Sequence, residues 1–135
     1  PVADVYLIDG DHNWHTVFHE LGAILAKVDA ENARTPLILM HDVGWPYGRR
    51  DLYYDTRTVP ESGRHPSARG GLHPNHSELL TYGGINADLE HAMIDGGEKN
   101  GVLTAVEDFQ AEHPDRYIWG SLPVYHGYGF LIPAS

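Results

Sequence analysis

The fold is decided by residues 2–42, which read VADVYLIDGDHNWHTVFHELGAILAKVDAENARTPLILMHD. An apolar, β-rich run at 2–8 stops at an Asp-Gly turn signal and predicts a buried strand. Apolar side chains then recur every three or four residues from Trp14 to Val28, which predicts an amphipathic helix. A second apolar run at 36–40 predicts another strand. Strand, helix and strand in this order predict a right-handed βαβ unit with two parallel, neighbouring strands.

The rest of the chain is expected to complete a single α/β domain over residues 1–135. Residues 43–99 are rich in Gly, Pro, His and Arg and are expected to form an irregular lid or binding loop, with one short helix at 85–94. Asn100 is expected to cap a second amphipathic helix. Two strands at 117–120 and 127–132 follow, and their short link predicts an antiparallel pair.

Composition excludes several classes of protein. The 135 residues contain no cysteine, and 19 acidic residues against 9 basic ones give a net charge of -10. The absence of cysteine excludes disulfide scaffolds, cysteine-ligated zinc, iron–sulfur clusters and thiol catalysis. Strong acidity argues against nucleic-acid binding, which needs a basic face. No apolar run has the length of a membrane span, and we expect a cytoplasmic protein.

Charge is unevenly distributed along the chain. Residues 44–76 contain five arginines and only three acidic residues, so this segment is basic within an acidic chain. Such a segment fits a surface that faces an anionic ligand. It fits equally a solvated loop whose arginines balance its own carboxylates.

Two groups of polar residues follow the predicted parallel strands. Asp9 and His12 lie just after the first strand, and His41 and Asp42 lie at the end of the second. Neighbouring strands are about 4.8 Å apart, so the two carboxylates are expected to share one crevice at the carboxyl edge of the sheet. Adjacent carboxylates repel, and a divalent cation between them removes the repulsion. The pattern therefore predicts a metal or catalytic site.

The same residues also fit purely structural roles. Asp9 can close a turn, and Asp11 or Asn13 can cap the helix. His15 and His19 share a helical face with His12, but we expect them to contact solvent or a loop and not a metal.

Three segments resemble a known family. They are YLIDGDHNWHTV at 6–17, LILMHDVGWPYGRRD at 37–51 and GGEKNGVLTAVEDF at 96–109. Together they resemble the class I S-adenosylmethionine-dependent methyltransferases, in particular the metal-dependent small-molecule O-methyltransferases of the catechol and macrocin type. The resemblance implies a partial Rossmann-like methyltransferase sheet, in which the final strand pair includes the antiparallel strand that marks the family.

The resemblance also implies a metal centre and a base. Asp9, His41 and Asp42 would hold a divalent metal, and His12 would be the general base that accepts the hydroxyl proton. Mg²⁺ or Mn²⁺ is expected. An imidazole at position 41, where an acidic residue is commoner, makes Fe²⁺ or Zn²⁺ alternatives.

Further residues would contact the two substrates. By resemblance, S-adenosylmethionine would contact the turn formed by Asp9, Gly10 and Asp11. The acceptor, a hydroxyl-bearing sugar, polyketide or phenol, would lie in a pocket lined by Trp45, Tyr47, Arg49 and Arg50.

The family's glycine-rich cofactor loop and its ribose-binding acidic residue do not occur in this sequence. The chain therefore corresponds to the C-terminal half of such a domain, with residues 43–99 as its acceptor-side insertion. A missing N-terminal half or a second copy is expected as a partner. Two alternatives are a non-catalytic metal- or ligand-binding remnant and a metallohydrolase that activates water.

Overall fold

A computed structural model describes residues 1–135 as a mixed α/β fold with two helices and two sheets. The elements in chain order are β1 (Val5–Ile8), α1 (Trp14–Ala30), β2 (Leu37–His41), β3 (Leu52–Tyr53), β4 (Ser67–Arg69), β5 (Glu90–Ala92), α2 (Val102–Glu112), β6 (Tyr117–Leu122) and β7 (Tyr128–Pro133), with 3₁₀ helices at Thr56–Thr58 and Glu61–Gly63. Neither α-helix has the length and apolar character needed to cross a membrane.

The predicted βαβ unit is present. Strands β1 and β2 are parallel neighbours, with Val5 opposite Leu37 and Ile8 opposite Met40. Asn13 caps α1, since its side-chain oxygen accepts a hydrogen bond from the backbone N–H of Thr16. The unit forms because one face of α1 and alternate residues of both strands are apolar and are buried together.

The larger sheet has the order β1-β2-β7-β6. Strand β7 pairs antiparallel with both β2 and β6, so the predicted antiparallel pair is present and β7 joins it to the βαβ unit. Both helices pack against one face of this sheet and enclose the main core, which includes Leu21, Ile38, Met40, Phe109 and Leu131.

No helix covers the opposite face of the larger sheet. Val5 and Leu7 of β1 are 50% and 67% exposed, and Ile118 and Ile132 of β6 and β7 are also about half exposed. Leu7 is paired with Leu39, so the exposed aliphatic row continues across the sheet.

Residues 43–99 are more ordered than predicted. Strands β3, β5 and β4 form a second, antiparallel sheet in that order. The predicted helix at 85–94 is wrong, because β5 occupies part of it. Asn86 has a positive φ of 53°, which ends any helix there. Its amide instead donates a hydrogen bond to the Tyr47 hydroxyl.

The predicted cap of α2 is also wrong. The capping position is Gly101, and the Asn100 side chain instead accepts a hydrogen bond from the backbone N–H of Asp51 and donates to the carbonyls of Ile94 and Gly96. The buried Asp51 carboxylate takes over the capping role, because it accepts hydrogen bonds from the backbone N–H groups of Trp14 and Gly101. One carboxylate therefore satisfies backbone donors at the start of both helices.

Candidate metal centre

The three predicted metal ligands meet at the carboxyl edge of the larger sheet. Asp9 directly follows β1, His41 is the last residue of β2, and Asp42 follows it. Because β1 and β2 are parallel and in register at their ends, these residues reach the same crevice. One carboxylate or imidazole atom from each lies within 4.8 Å of the others.

Asp42 is the most constrained of the three. Its backbone adopts the left-handed region with a φ of 60°, which is uncommon for a residue other than glycine. The residue is buried, and its Oδ2 lies 2.8 Å from His12 Nε2 and 2.9 Å from His41 Nδ1. Left-handed backbone geometry outside glycine is concentrated at functional sites, where the surroundings enforce it.

Asp9 forms the opposite, open side of the crevice. Its Oδ1 lies 3.5 Å from both His12 Nε2 and His41 Nδ1, and its side chain is 48% exposed. The crevice therefore has a buried wall made by Asp42 and His12 and an accessible wall at Asp9. A ligand can reach these atoms from the side of Asp9.

The charges of the crevice shift two ionisation equilibria. Burial lowers the pKa of His12, but the Asp42 and Asp9 carboxylates outweigh this effect and hold that pKa above its usual value. Burial acts to raise the pKa of Asp42, and the contacts with His12 and His41 reverse the effect, so this pKa lies below its usual value. Asp42 is therefore an anion at neutral pH in a largely buried position.

His12 lies beside the three-residue group and is held from its other side. Its Nδ1 lies 3.2 Å from the Tyr54 hydroxyl, and its ring stacks on Tyr47 with 5.5 Å between ring centroids. Nε2 is thereby directed toward the crevice. Tyr54 was not predicted, because it lies in the insertion outside any recognisable motif and reaches His12 only through tertiary folding.

The donor atoms fit a divalent cation. Ligands about 2.1 Å from a central ion lie roughly 3.0–3.4 Å from one another in octahedral or tetrahedral geometry. Within the group of Asp9, His41 and Asp42, His41 Nδ1 lies 3.5 Å from Asp9 Oδ1 and 2.9 Å from Asp42 Oδ2. His12 Nε2 is buried and has no aligned hydrogen-bond partner despite its short distance from Asp42. Carboxylate and imidazole donors together suit Mn²⁺, Fe²⁺ or Zn²⁺ better than Mg²⁺.

The residues predicted to bind the methyl acceptor lie in different surroundings. Tyr47 is buried against His12, and Trp45 is half-buried next to the crevice loop, where its carbonyl contacts His126. Arg49 forms a two-pronged ion pair with Glu107 of α2. The buried Arg50 guanidinium donates to backbone carbonyls, including that of Ala92. Existing contacts thus occupy both guanidinium groups, and they do not support an acceptor-binding role.

The predicted cofactor-facing turn is exposed. Asp9 and Gly10 border an open cavity of about 450 Å³ beside the outer edge of β1, and Ile24 of α1 lines its opposite side. Asp11 accepts a hydrogen bond from the Thr16 hydroxyl.

His15 and His19 lie outside the group formed by Asp9, His41 and Asp42. The His15 ring lies against Gly63 in the insertion, and His19 Nδ1 donates to the His15 carbonyl. Both therefore make loop and helix contacts away from Asp9 and Asp42.

Comparison with known proteins adds no relative. Family models, curated proteins and solved structures were each searched, and none matched this chain.

Proposed function

We propose that this chain carries the metal-binding and acceptor side of an S-adenosylmethionine-dependent O-methyltransferase acting on a hydroxyl of a small molecule. The observation that carries the proposal is the convergence of Asp9, His41 and Asp42 with His12 directly beside them. The link to methyl transfer comes from the sequence resemblance at 6–17, 37–51 and 96–109.

Asp9, His41 and Asp42 would hold the metal. When bound there, the metal would supply Lewis-acid chemistry that lowers the pKa of the acceptor hydroxyl. Asp9 lies on the accessible wall, so the acceptor enters from that side.

His12 would accept the hydroxyl proton at Nε2. For this role Nδ1 would carry the ring proton of the neutral imidazole and donate a hydrogen bond to the Tyr54 oxygen, 3.2 Å away. The acceptor oxygen forms a bond to the methyl carbon as the carbon–sulfur bond of the sulfonium breaks, and S-adenosylhomocysteine is the second product. Tyr54 and Tyr47 orient His12 for this transfer.

The cofactor side is incomplete in these 135 residues, which contain no G-x-G-x-x-G loop. That loop would belong to a further polypeptide segment, which would join the exposed edge of β1 near Gly10. Binding of S-adenosylmethionine to the chain alone is therefore expected to be weak.

Activation of the acceptor can be tested without the cofactor. The visible spectrum of 4-nitrocatechol reports the ionisation of its hydroxyl groups. The measurement is made just below the pH at which free 4-nitrocatechol loses its second proton. At that pH we expect the spectrum of the doubly ionised compound only when the chain and Mn²⁺ are both present. Asp42→Asn should abolish the change and Asp11→Asn should keep it. No change with the unaltered chain would contradict metal-assisted activation.

Methyl transfer itself would require the chain together with the segment that supplies the cofactor loop. With S-adenosylmethionine, Mn²⁺ and 4-nitrocatechol, mass spectrometry should detect one added methyl group. His12→Ala should reduce the rate by about a hundred- to ten-thousand-fold, as expected for loss of a general base. Near-normal turnover would assign His12 a structural role. Ionisation of the phenol with no methyl transfer would identify a binding protein.

A metallohydrolase is the second candidate, because the residues present include a candidate metal centre and an adjacent imidazole but no cofactor loop. In that case His12 would accept a proton from a water molecule. Metal-dependent hydrolysis of 4-nitrophenyl acetate, lost in both Asp42→Asn and His12→Ala, would favour this reading.

A further inference from the structure

A second cavity lies apart from the candidate metal centre and shares no residue with it. Its volume is about 680 Å³, and it is formed between the start of α1 and two parts of the insertion, around residues 62–65 and 98–99. This volume is within the range of small-molecule sites, roughly 300–1,000 Å³. Trp14 and Phe18 stack on each other in its wall.

Two cations without partners line this cavity. Four of the nine basic residues of the chain form neither an ion pair nor a side-chain hydrogen bond, and Arg64 and Lys99 are two of them. Acidic residues outnumber basic ones by 19 to 9, so carboxylates are abundant on this surface. Only one acidic residue, Glu98, lines the cavity, and it pairs with neither cation.

One side-chain nitrogen of the half-buried Arg64 is also left without a partner. Its Nε is buried and has no hydrogen-bond partner. Buried polar nitrogens without a partner are uncommon in folded proteins and call for a bound group or water. A guanidinium offers a planar set of donors that matches the oxygens of phosphate or carboxylate.

Contacts within the cavity wall position Lys99 and join the two segments that carry the cations. The Lys99 ammonium lies 5.1 Å above the Trp14 ring, which positions it by a cation–π contact. His65 Nε2 lies 2.7 Å from the Lys99 carbonyl and links the two parts of the insertion that carry the cations. His15 and His19 complete the wall.

We infer that this cavity binds the phosphate group of a small molecule through Arg64 and Lys99. A phosphate dianion supplies the two negative charges that the pair lacks, and it accepts hydrogen bonds from a guanidinium in two-pronged geometry. The cavity exceeds the size of a phosphate ion, so a phosphorylated organic molecule is the matching ligand class. This site is independent of the proposed methyl transfer and gives the basic segment of the insertion a ligand.

Calorimetry with two probes tests the inference. Inorganic phosphate and phenyl phosphate are titrated into the chain at constant ionic strength, with sodium chloride as the blank. Both should bind at one site, and phenyl phosphate should bind more tightly. Binding no stronger than that of chloride would overturn the inference, as would binding of phenyl phosphate with none of inorganic phosphate.

Matched variants locate the site. Arg64→Gln and Lys99→Gln should each weaken phosphate binding by about tenfold, as expected for loss of a charged hydrogen bond. Arg34→Gln, at an exposed and equally unpaired arginine outside the cavity, should leave it unchanged. Equal weakening of phosphate binding in all three variants would indicate nonspecific electrostatic attraction. That result would overturn the assignment of the site to this cavity. Lys99 is exposed, so its variant remains informative if Arg64→Gln fails to fold.

Discussion

Asp42 lies between two imidazoles on a left-handed backbone, and both features come from its position at the end of β2. Oxygen Oδ2 is within 3 Å of nitrogens from His12 and His41, and the backbone φ is 60°. A left-handed conformation costs a residue with a Cβ about 1–2 kcal/mol. The surrounding contacts hold the backbone in this conformation and aim the carboxylate into the crevice.

Removing the Asp42 carboxylate in two ways should separate backbone strain from lost contacts. Asp42→Gly and Asp42→Ala both remove the contacts with His12 and His41, but only glycine adopts the left-handed region without cost. The free energy of unfolding, measured by urea denaturation without metal, should be about 1 kcal/mol higher for the glycine variant. Equal values would show that the left-handed backbone carries no strain.

His91 gives a second prediction at this scale, on pH. It is fully buried in the insertion, its Nδ1 donates to the Gly70 carbonyl, and its Nε2 lies 3.2 Å from the Tyr47 hydroxyl. Burial lowers the pKa of His91 below its usual value. The unfolded chain therefore binds a proton at a higher pH than the folded chain does, and stability falls as the pH drops from the unfolded pKa toward the folded one.

Urea denaturation at pH 7.5 and below pH 6 measures this effect. The loss of unfolding free energy on acidification should be smaller in His91→Gln than in the unaltered chain. The exposed His73, substituted by glutamine, is the control and should leave the loss unchanged. At pH 7.5, His91→Gln should lower the free energy of unfolding by about 1–3 kcal/mol, because a buried hydrogen bond is disrupted. The same acid dependence in all three proteins would refute this role for His91.

Between elements, Asp51 links the two helices to the insertion. Its Oδ1 accepts hydrogen bonds from the backbone of Trp14 and Gly101, and its Oδ2 accepts one from the Tyr53 hydroxyl. Asp51→Ala would leave these buried donors unpaired, at about 1–3 kcal/mol each. We expect a loss of several kcal/mol in unfolding free energy by urea denaturation. The control is Asp88→Ala at an exposed position, which should leave the free energy of unfolding almost unchanged. A similarly small change for Asp51→Ala would contradict the linking role.

The elements differ in how far the sequence predicts them. Helix α1 and strands β1 and β2 follow from local apolar spacing, and the strand pair β6–β7 from a short link. The convergence of Asp9 and Asp42 follows from strand adjacency. The small sheet of the insertion was not predictable, because β3, β4 and β5 have two or three residues each and pair across distant parts of the chain. The hydrogen bond that joins Asp51 to Asn100 was not predictable for the same reason, since the two residues lie far apart in the sequence.

At the scale of the whole molecule, the uncovered face of the larger sheet is the main exposed apolar surface. This sheet has one parallel and two antiparallel strand pairs, and antiparallel sheets commonly leave one face to solvent. We expect the chain to bind the dye 8-anilinonaphthalene-1-sulfonate in the absence of denaturant. Replacing Leu7 and Ile118 with serine should lower the dye fluorescence, because both lie exposed on this face.

The matched control for this face is Tyr82→Ser. Tyr82 is almost fully exposed but belongs to the insertion and not to the sheet. It should leave the fluorescence unchanged. Equal fluorescence in the unaltered chain and the double variant would mean that this face does not bind the dye.

The central claim is that Asp9, His41 and Asp42 form a divalent-metal centre, and titration calorimetry with Mn²⁺ and Zn²⁺ tests it most directly. The account predicts one ion per chain and a loss of about a hundredfold or more in affinity for Asp9→Asn or Asp42→Asn. Asp11→Asn and His12→Ala should retain nearly full affinity. Absence of one-to-one binding, or unchanged affinity in Asp42→Asn, would contradict the account.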